Sequence, residues 1–104
     1  MKLTILSAKT YNQKYPVVFR GGKFLIRDKV AEEIVPDKKY IKFAQDTAGD
    51  FYVLPGEEGD ENCFMTASAG YYRYAQLHAL YQVMNLEGKY HLLAIEPGMF
   101  KIVK

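Results

Sequence analysis

One cysteine, no tryptophan and four prolines stand among 104 residues. Cys63 has no partner for an internal disulfide, so packing alone must hold the fold, as suits a reducing compartment. No apolar run approaches the ~18 residues of a membrane span. The opening ten residues carry Leu3, Ile5 and Leu6 but neither the apolar core nor the small-residue cleavage site of a signal peptide. These absences predict a soluble, cytoplasmic domain with no membrane partner. The length allows one domain, residues 1–104, able to bury roughly two-thirds of the surface that its unfolded chain exposes. The sequence shows no internal repeat and no linker. A polar stretch over residues 56–62 separates two sub-halves, 1–55 and 63–104.

Catalytic and metal-binding signatures are missing as well. There is no Cys-x-x-Cys, no His-Glu-x-x-His and no Gly-rich phosphate cradle. Cys63 follows Glu57, Glu58, Asp60 and Glu61, and negative charge nearby disfavours a thiolate. The acidic loop lacks the alternating Asp/Asn positions and closing Glu of an EF-hand. His78 and His91 are the only histidines; a site built around them is the one enzymatic alternative. The expectation is no catalytic residue, no metal and no cofactor.

What is present is charge, unevenly placed, and many aromatics. The net charge of +2 divides into +6 over residues 1–43, −6 over residues 44–63 and +2 over the remainder. Such asymmetry points to an electrostatically selective surface. Nine tyrosines and six phenylalanines exceed what a small core needs, since a Tyr ring buries while its hydroxyl seeks the edge.

The apolar pattern reads as strand through the first half. Extended runs are expected at residues 3–7 and 17–19, a turn at Gly21-Gly22, and a strand over 23–27 with Phe24 and Ile26 on one face. Asp28 is a candidate N-cap for a short helix over about 28–35, stopped by Pro36. Residues 40–44 and 51–54 flank a Gly-containing polar turn and predict a β-hairpin. In the second half, Leu77, Leu80, Tyr81 and Met84 recur at helical spacing, predicting an amphipathic helix over about 75–86 that Gly88 ends. Residues 63–67, 71–74, 90–95 and 99–103 read as extended, the last two joined through Pro97-Gly98 in the pattern of a type II turn. The fold class expected is α+β: a single small domain with a mainly antiparallel twisted sheet and two helices.

Arg20, Lys23, Arg27 and Lys29 lie around the Gly turn and the start of the short helix, where they are candidates for phosphate contacts, which give affinity without sequence preference. Tyr72 and Tyr74 share one strand face, with Arg73 on the other beside Tyr71. Aromatics beside arginine suit base stacking in single-stranded nucleic acid, so Tyr72, Arg73 and Tyr74 complete the candidate set. The segment Gly22-Lys23-Phe24-Leu25-Ile26-Arg27-Asp28-Lys29-Val30-Ala31-Glu32-Glu33-Ile34, followed by Tyr40-Ile41-Lys42-Phe43 and a hairpin to Phe51-Tyr52-Val53-Leu54, resembles the AbrB/MazE half-domain. Arg27 stands where that family commonly has Pro, and the turn after the helix is shorter. The resemblance covers residues 20–55 and implies a swapped-hairpin homodimer that binds DNA through basic residues. The whole chain is also similar to small proteins of phages and mobile elements. The function expected is therefore a non-enzymatic, transcription-regulator-like module binding single- or double-stranded DNA. The alternative is a protein-interaction module that engages a protein partner through the acidic loop 57–61.

Overall fold

A computed structural model describes residues 1–4, 14–34 and 39–104. Most of the expected opening strand, the stop at Pro36 and the basic residues Lys9 and Lys38 lie outside the described residues. The chain forms β1 (Lys14–Arg20), β2 (Lys23–Arg27), α1 (Asp28–Ile34), β3 (Tyr40–Gln45), β4 (Phe51–Pro55), β5 (Phe64–Ala69), β6 (Tyr72–Gln76), α2 (Ala79–Met84), β7 (Gly88–Glu96) and β8 (Met99–Val103). All eight strands join one closed antiparallel barrel in the order β1-β2-β6-β5-β3-β4-β8-β7. This corrects the expected α+β class: the helices are single short pieces, and both halves of the chain share one sheet.

Closure follows from interlacing. The chain is two successive units of strand–strand–helix–strand–strand, β1-β2-α1-β3-β4 and β5-β6-α2-β7-β8. Each pairing has a counterpart under exchange of the units: β1–β2 with β5–β6 and β3–β4 with β7–β8 within the units, and β1–β7 with β5–β3 between them. The two remaining ladders, β2–β6 and β4–β8, also join the units and map onto themselves. The β2–β6 register centres on Leu25 opposite Tyr74, and the β4–β8 ladder consists of Tyr52–Lys101 and Val53–Phe100, so a pseudo-two-fold axis passes through both ladders. The sequence hides this repeat because the equivalent inward positions changed chemistry. Val17, Phe19, Phe24 and Ile26 of the first unit correspond to Thr66, Ser68, Arg73 and Ala75 of the second.

The strand alternation fills the interior. Phe19 and Phe24 are fully buried, and a chain of tilted and edge-on rings runs from Tyr90 through Phe19, Phe24 and Phe43 to Phe64. Ala75, opposite both Phe24 and Thr66, is itself fully buried; its small side chain accommodates the bulk of Phe24, as close packing requires. Tyr15 meets Phe100 edge-on at 6.0 Å. Burial, together with its hydrogen bond to Glu33, pushes the Tyr15 hydroxyl pKa upward.

Local chemistry sets the connections. Gly21 and Gly22 have φ of 61° and 81°, the two positive values that a type I′ hairpin turn requires. At the β7–β8 turn Gly98 has φ of 78°, the value its type II position needs. A register shift between Ala94 and Glu96 accommodates that turn, whose twist fits a hairpin poorly. In the β3–β4 turn the Asp46 carboxylate accepts from the Ala48 and Asp50 amides and, at 2.7 Å, from the Tyr52 hydroxyl. The Tyr52 hydrogen bond, with the backbone donors, holds the Asp46 carboxyl below its ordinary pKa.

The expected helix over 75–86 shrinks to Ala79–Met84 for a stated reason. Ala75 and Gln76 pair with Phe24 and Lys23 in β6, and the Leu77 amide extends that ladder to the Gly22 carbonyl at 3.0 Å. His78 then turns the chain with φ 54° and ψ −130°, and Asn85, not Gly88, supplies the left-handed cap. Leu77 and Met84 are in the core and Leu80 and Tyr81 pack against it, so the apolar stripe holds while the helix covers only Ala79–Met84 of it.

Two outcomes test this account. Phe24→Ala is expected to lower unfolding free energy by about 3–5 kcal/mol, measured by urea denaturation. The Asp46 carboxylate stabilises the hairpin above its unfolded pKa, and that contribution is lost as pH falls through its depressed folded value. Asp46→Ala should therefore flatten the acid limb of the stability–pH profile, and an unchanged limb would remove Asp46 from that role.

Candidate nucleic-acid interface

A closed sheet has only an inside and an outside, so residues alternating with the buried phenylalanines must face solvent. On the wall β7-β1-β2-β6 the outward positions carry Lys89 and His91, Lys14, Pro16, Val18 and Arg20, Lys23, Leu25 and Arg27, then Tyr72, Tyr74 and Gln76. None of these is acidic. Among the described residues, no ion pair engages Lys14, Arg20, Lys23, Arg27 or Lys89, whereas on the opposite wall Lys42 lies 4.0 Å from Asp60 and Lys101 lies 3.3 Å from Asp50. The acidic stretch of the sequence supplies the β3–β4 turn and the β4–β5 loop, whose Asp50 and Asp60 reach Lys101 and Lys42 of that opposite wall. The cations of the opposite wall are therefore paired with nearby acids, and those of the wall β7-β1-β2-β6 are not.

The predicted residues divide clearly. Arg20, Lys23, Arg27, Tyr72 and Tyr74 share the outer cationic wall, with the Lys23 ammonium 4.9 Å from the Tyr74 ring centroid. Lys29 is exposed on α1 at the edge of this wall. Arg73 faces inward. Its Nε donates to the Thr66 hydroxyl at 3.0 Å and its Nη2 to the Thr66 carbonyl at 3.3 Å. Its Nη1 lies 3.7 Å from the Asp28 carboxylate. Arg73 thus ties β6 to β5 and to the start of α1, positioning the outward tyrosines.

The wall is dented along its length. A groove of about 310 Å³ runs between Lys89 and His91 on β7, Pro16 and Val18 on β1, and Arg27 with Tyr72. Arg27 and Tyr72 also border a second, larger cleft of about 480 Å³ between the start of α1 and the β5–β6 turn, lined by Asp28, Lys29, Val30, Gly70 and Tyr71 as well. The two depressions therefore meet at the Arg27–Tyr72 cross-strand pair. Sequence reasoning missed Lys89 and Tyr71 as contributors. Lys89 lies far along the chain from the other cations, and only the β1–β7 ladder brings it beside Val18.

The remaining candidates lie elsewhere. His78 is exposed at the start of α2, while His91 lines the groove on β7. No group of three His, Cys, Asp or Glu side chains suited to a metal occurs among the described residues. No described helix is long and apolar enough to cross a membrane. Comparison with protein-family models, curated proteins and solved structures finds no match to this chain.

The inward placement of Arg73 gives a direct test. Arg73→Ala leaves Thr66 and Asp28 without this partner in a partly buried site, and the expected cost is about 1–3 kcal/mol of stability, read as a lower urea midpoint. Tyr74→Ala, on the outer face of the same strand, should cost less than half as much.

Proposed function

We propose that this chain is a non-enzymatic nucleic-acid-binding module whose ligand lies across the outer wall β7-β1-β2-β6. The observation that carries this reading is the wall itself: five cations from three strands, free of ion pairs among the described residues, with no acid at any outward position between them. Cations without internal partners can release the counterions condensed on a phosphate backbone, which is the main source of affinity for nucleic acid.

Three features favour nucleic acid over an acidic protein. Lys89, Arg27 and Lys29 border a continuous line of grooves instead of clustering at one point. Apolar and aromatic side chains, Pro16, Val18, Leu25 and Tyr72, floor that line, which suits alternating phosphates and bases. The four strands span roughly 14 Å at their usual spacing, enough for a short run of nucleotides. The acidic loop 57–61 supports the protein-partner alternative less well, since Asp60 is partly occupied by Lys42.

Fluorescence anisotropy with a labelled oligothymidine and a labelled duplex, at ~50 and ~200 mM salt, tests the proposal. Affinity should fall steeply between the two conditions. Replacing Lys23 and Arg27 together by glutamine should reduce the log–log salt slope by about 1.4 for a single strand, at ~0.7 per phosphate contact. Lys42→Gln on the opposite wall should leave it unchanged. Absence of binding to either oligonucleotide at the lower salt would overturn the proposal.

A further inference from the structure

We infer that the cleft between α1 and the β5–β6 turn receives one unpaired base, so that the ligand of the cationic wall is a single strand. This rests on the nucleic-acid reading of the wall and adds to it the strandedness and a specific subsite.

The cleft has the size and chemistry of a base pocket. Its volume of about 480 Å³ lies within the ~300–1,000 Å³ range of small-ligand sites. Tyr71 and Tyr72 form one side, and they are 87% and 42% exposed, so each ring offers a face that no core contact uses. Val30 adds an apolar side chain to the lining. Stacking on aromatic rings is how bases are held when sequence is not read. The one acid at the cleft, Asp28, has the Arg73 guanidinium 3.7 Å from its carboxylate, which offsets the repulsion that a nucleotide would meet.

The surroundings place a phosphate beside that base. Arg27 and Lys29 are exposed on the rim, and among the described residues neither forms an ion pair. Arg27 also borders the groove toward His91 and Lys89, so a strand leaving the cleft continues over cations. A duplex fits this arrangement poorly. Its base faces are stacked inside a convex cylinder, and phosphates on its outside could touch Arg27 and Lys29 without entering the cleft.

Position along the barrel explains why the cleft is aromatic on this side of the pseudo-two-fold axis. The rotation carries Tyr71 and Tyr72 onto Gly22 and Lys23, Arg27 onto Gln76, and Lys29 onto His78. The equivalent location therefore lacks the stacking surface and the paired cations, and its backbone departs at His78, where φ is 54°.

The test compares a 12-nucleotide oligothymidine, an abasic strand of the same length and charge, and a duplex, each titrated by anisotropy at ~50 mM salt against the intact chain. The expected order is oligothymidine tightest, with the abasic strand weaker by about tenfold. Tyr72→Ala should weaken oligothymidine binding about tenfold with little change in salt slope, while leaving abasic binding unaltered. Tyr72→Phe should restore it, since stacking needs the ring and not the hydroxyl. Equal affinity for the oligothymidine and abasic strands would overturn the base pocket while leaving the phosphate wall intact. Tighter binding to duplex than to the single strand would also overturn it. Failure of all three to bind would remove the wall reading and the pocket with it.

Discussion

Closure of the sheet is the constraint on which the rest depends. In an open sheet, strands at the two edges would leave unpaired amides and carbonyls and a choice of which face to bury. Here the ladders β2–β6, β5–β3, β4–β8 and β7–β1 join the two units, so every strand has two neighbours and every side chain lies either inside or outside. The interior is then a fixed volume, and the rings of Phe19, Phe24, Phe43 and Phe64 occupy it through successive edge contacts. Because Phe19 and Phe24 must go inward, Arg20 and Lys23 must go outward. The cationic wall is a consequence of the core, not an independent feature.

Arg73 departs from that division, and its departure is informative. It stands at the position equivalent to Phe24, yet it is a charged residue turned inward at the end of the barrel beside α1. It is tolerated because Thr66 and Asp28 accept its hydrogens and charge, and a charge in a partly buried place needs such partners. The resulting contact holds the β5–β6 turn against the start of α1, as does the Asp28 amide bonded to the Tyr71 carbonyl at 2.8 Å. The shape of the cleft beside Tyr71 therefore depends on a polar cluster whose equivalent positions, Phe24, Val17 and Leu77, carry only hydrocarbon.

Legibility in the sequence followed how local each feature is. The β2 strand, the Gly21-Gly22 turn and the hairpin from Tyr40 to Pro55 were readable because alternation and turn residues specify them within a few positions. The helix over 75–86 was overdrawn because Leu77, Leu80, Tyr81 and Met84 satisfy a helical period whatever Ala75 and Gln76 do. Those two were claimed by a ladder with β2, a partner some fifty residues away that no local pattern announces. The repeat is hidden for a similar reason: its units are equivalent in topology, while Phe24 corresponds to Arg73 and Val17 to Thr66. Of the candidate site, the cations of β1 and β2 and the two tyrosines of β6 were legible individually. That they share a wall with Lys89, and that Arg73 does not, followed only from the registers.

The pseudo-symmetry also bears on how many ligand tracks one barrel can hold. A ligand held by backbone groups would meet two equivalent paths, since the rotation superposes the ladders. The path His91, Pro16, Arg27, Tyr72 maps onto Tyr40, Met65, Gln76, Lys23, which has the same geometry but one cation in place of an arginine, a histidine and a proline-floored groove. Affinity that comes from phosphate contacts and ring faces resides in side chains, and side chains are where the two units differ. The folded barrel is near two-fold while its electrostatics are one-sided. Under the proposed function, a polyanion would meet one favourable path per chain, beginning at β7 and ending in the cleft beside α1.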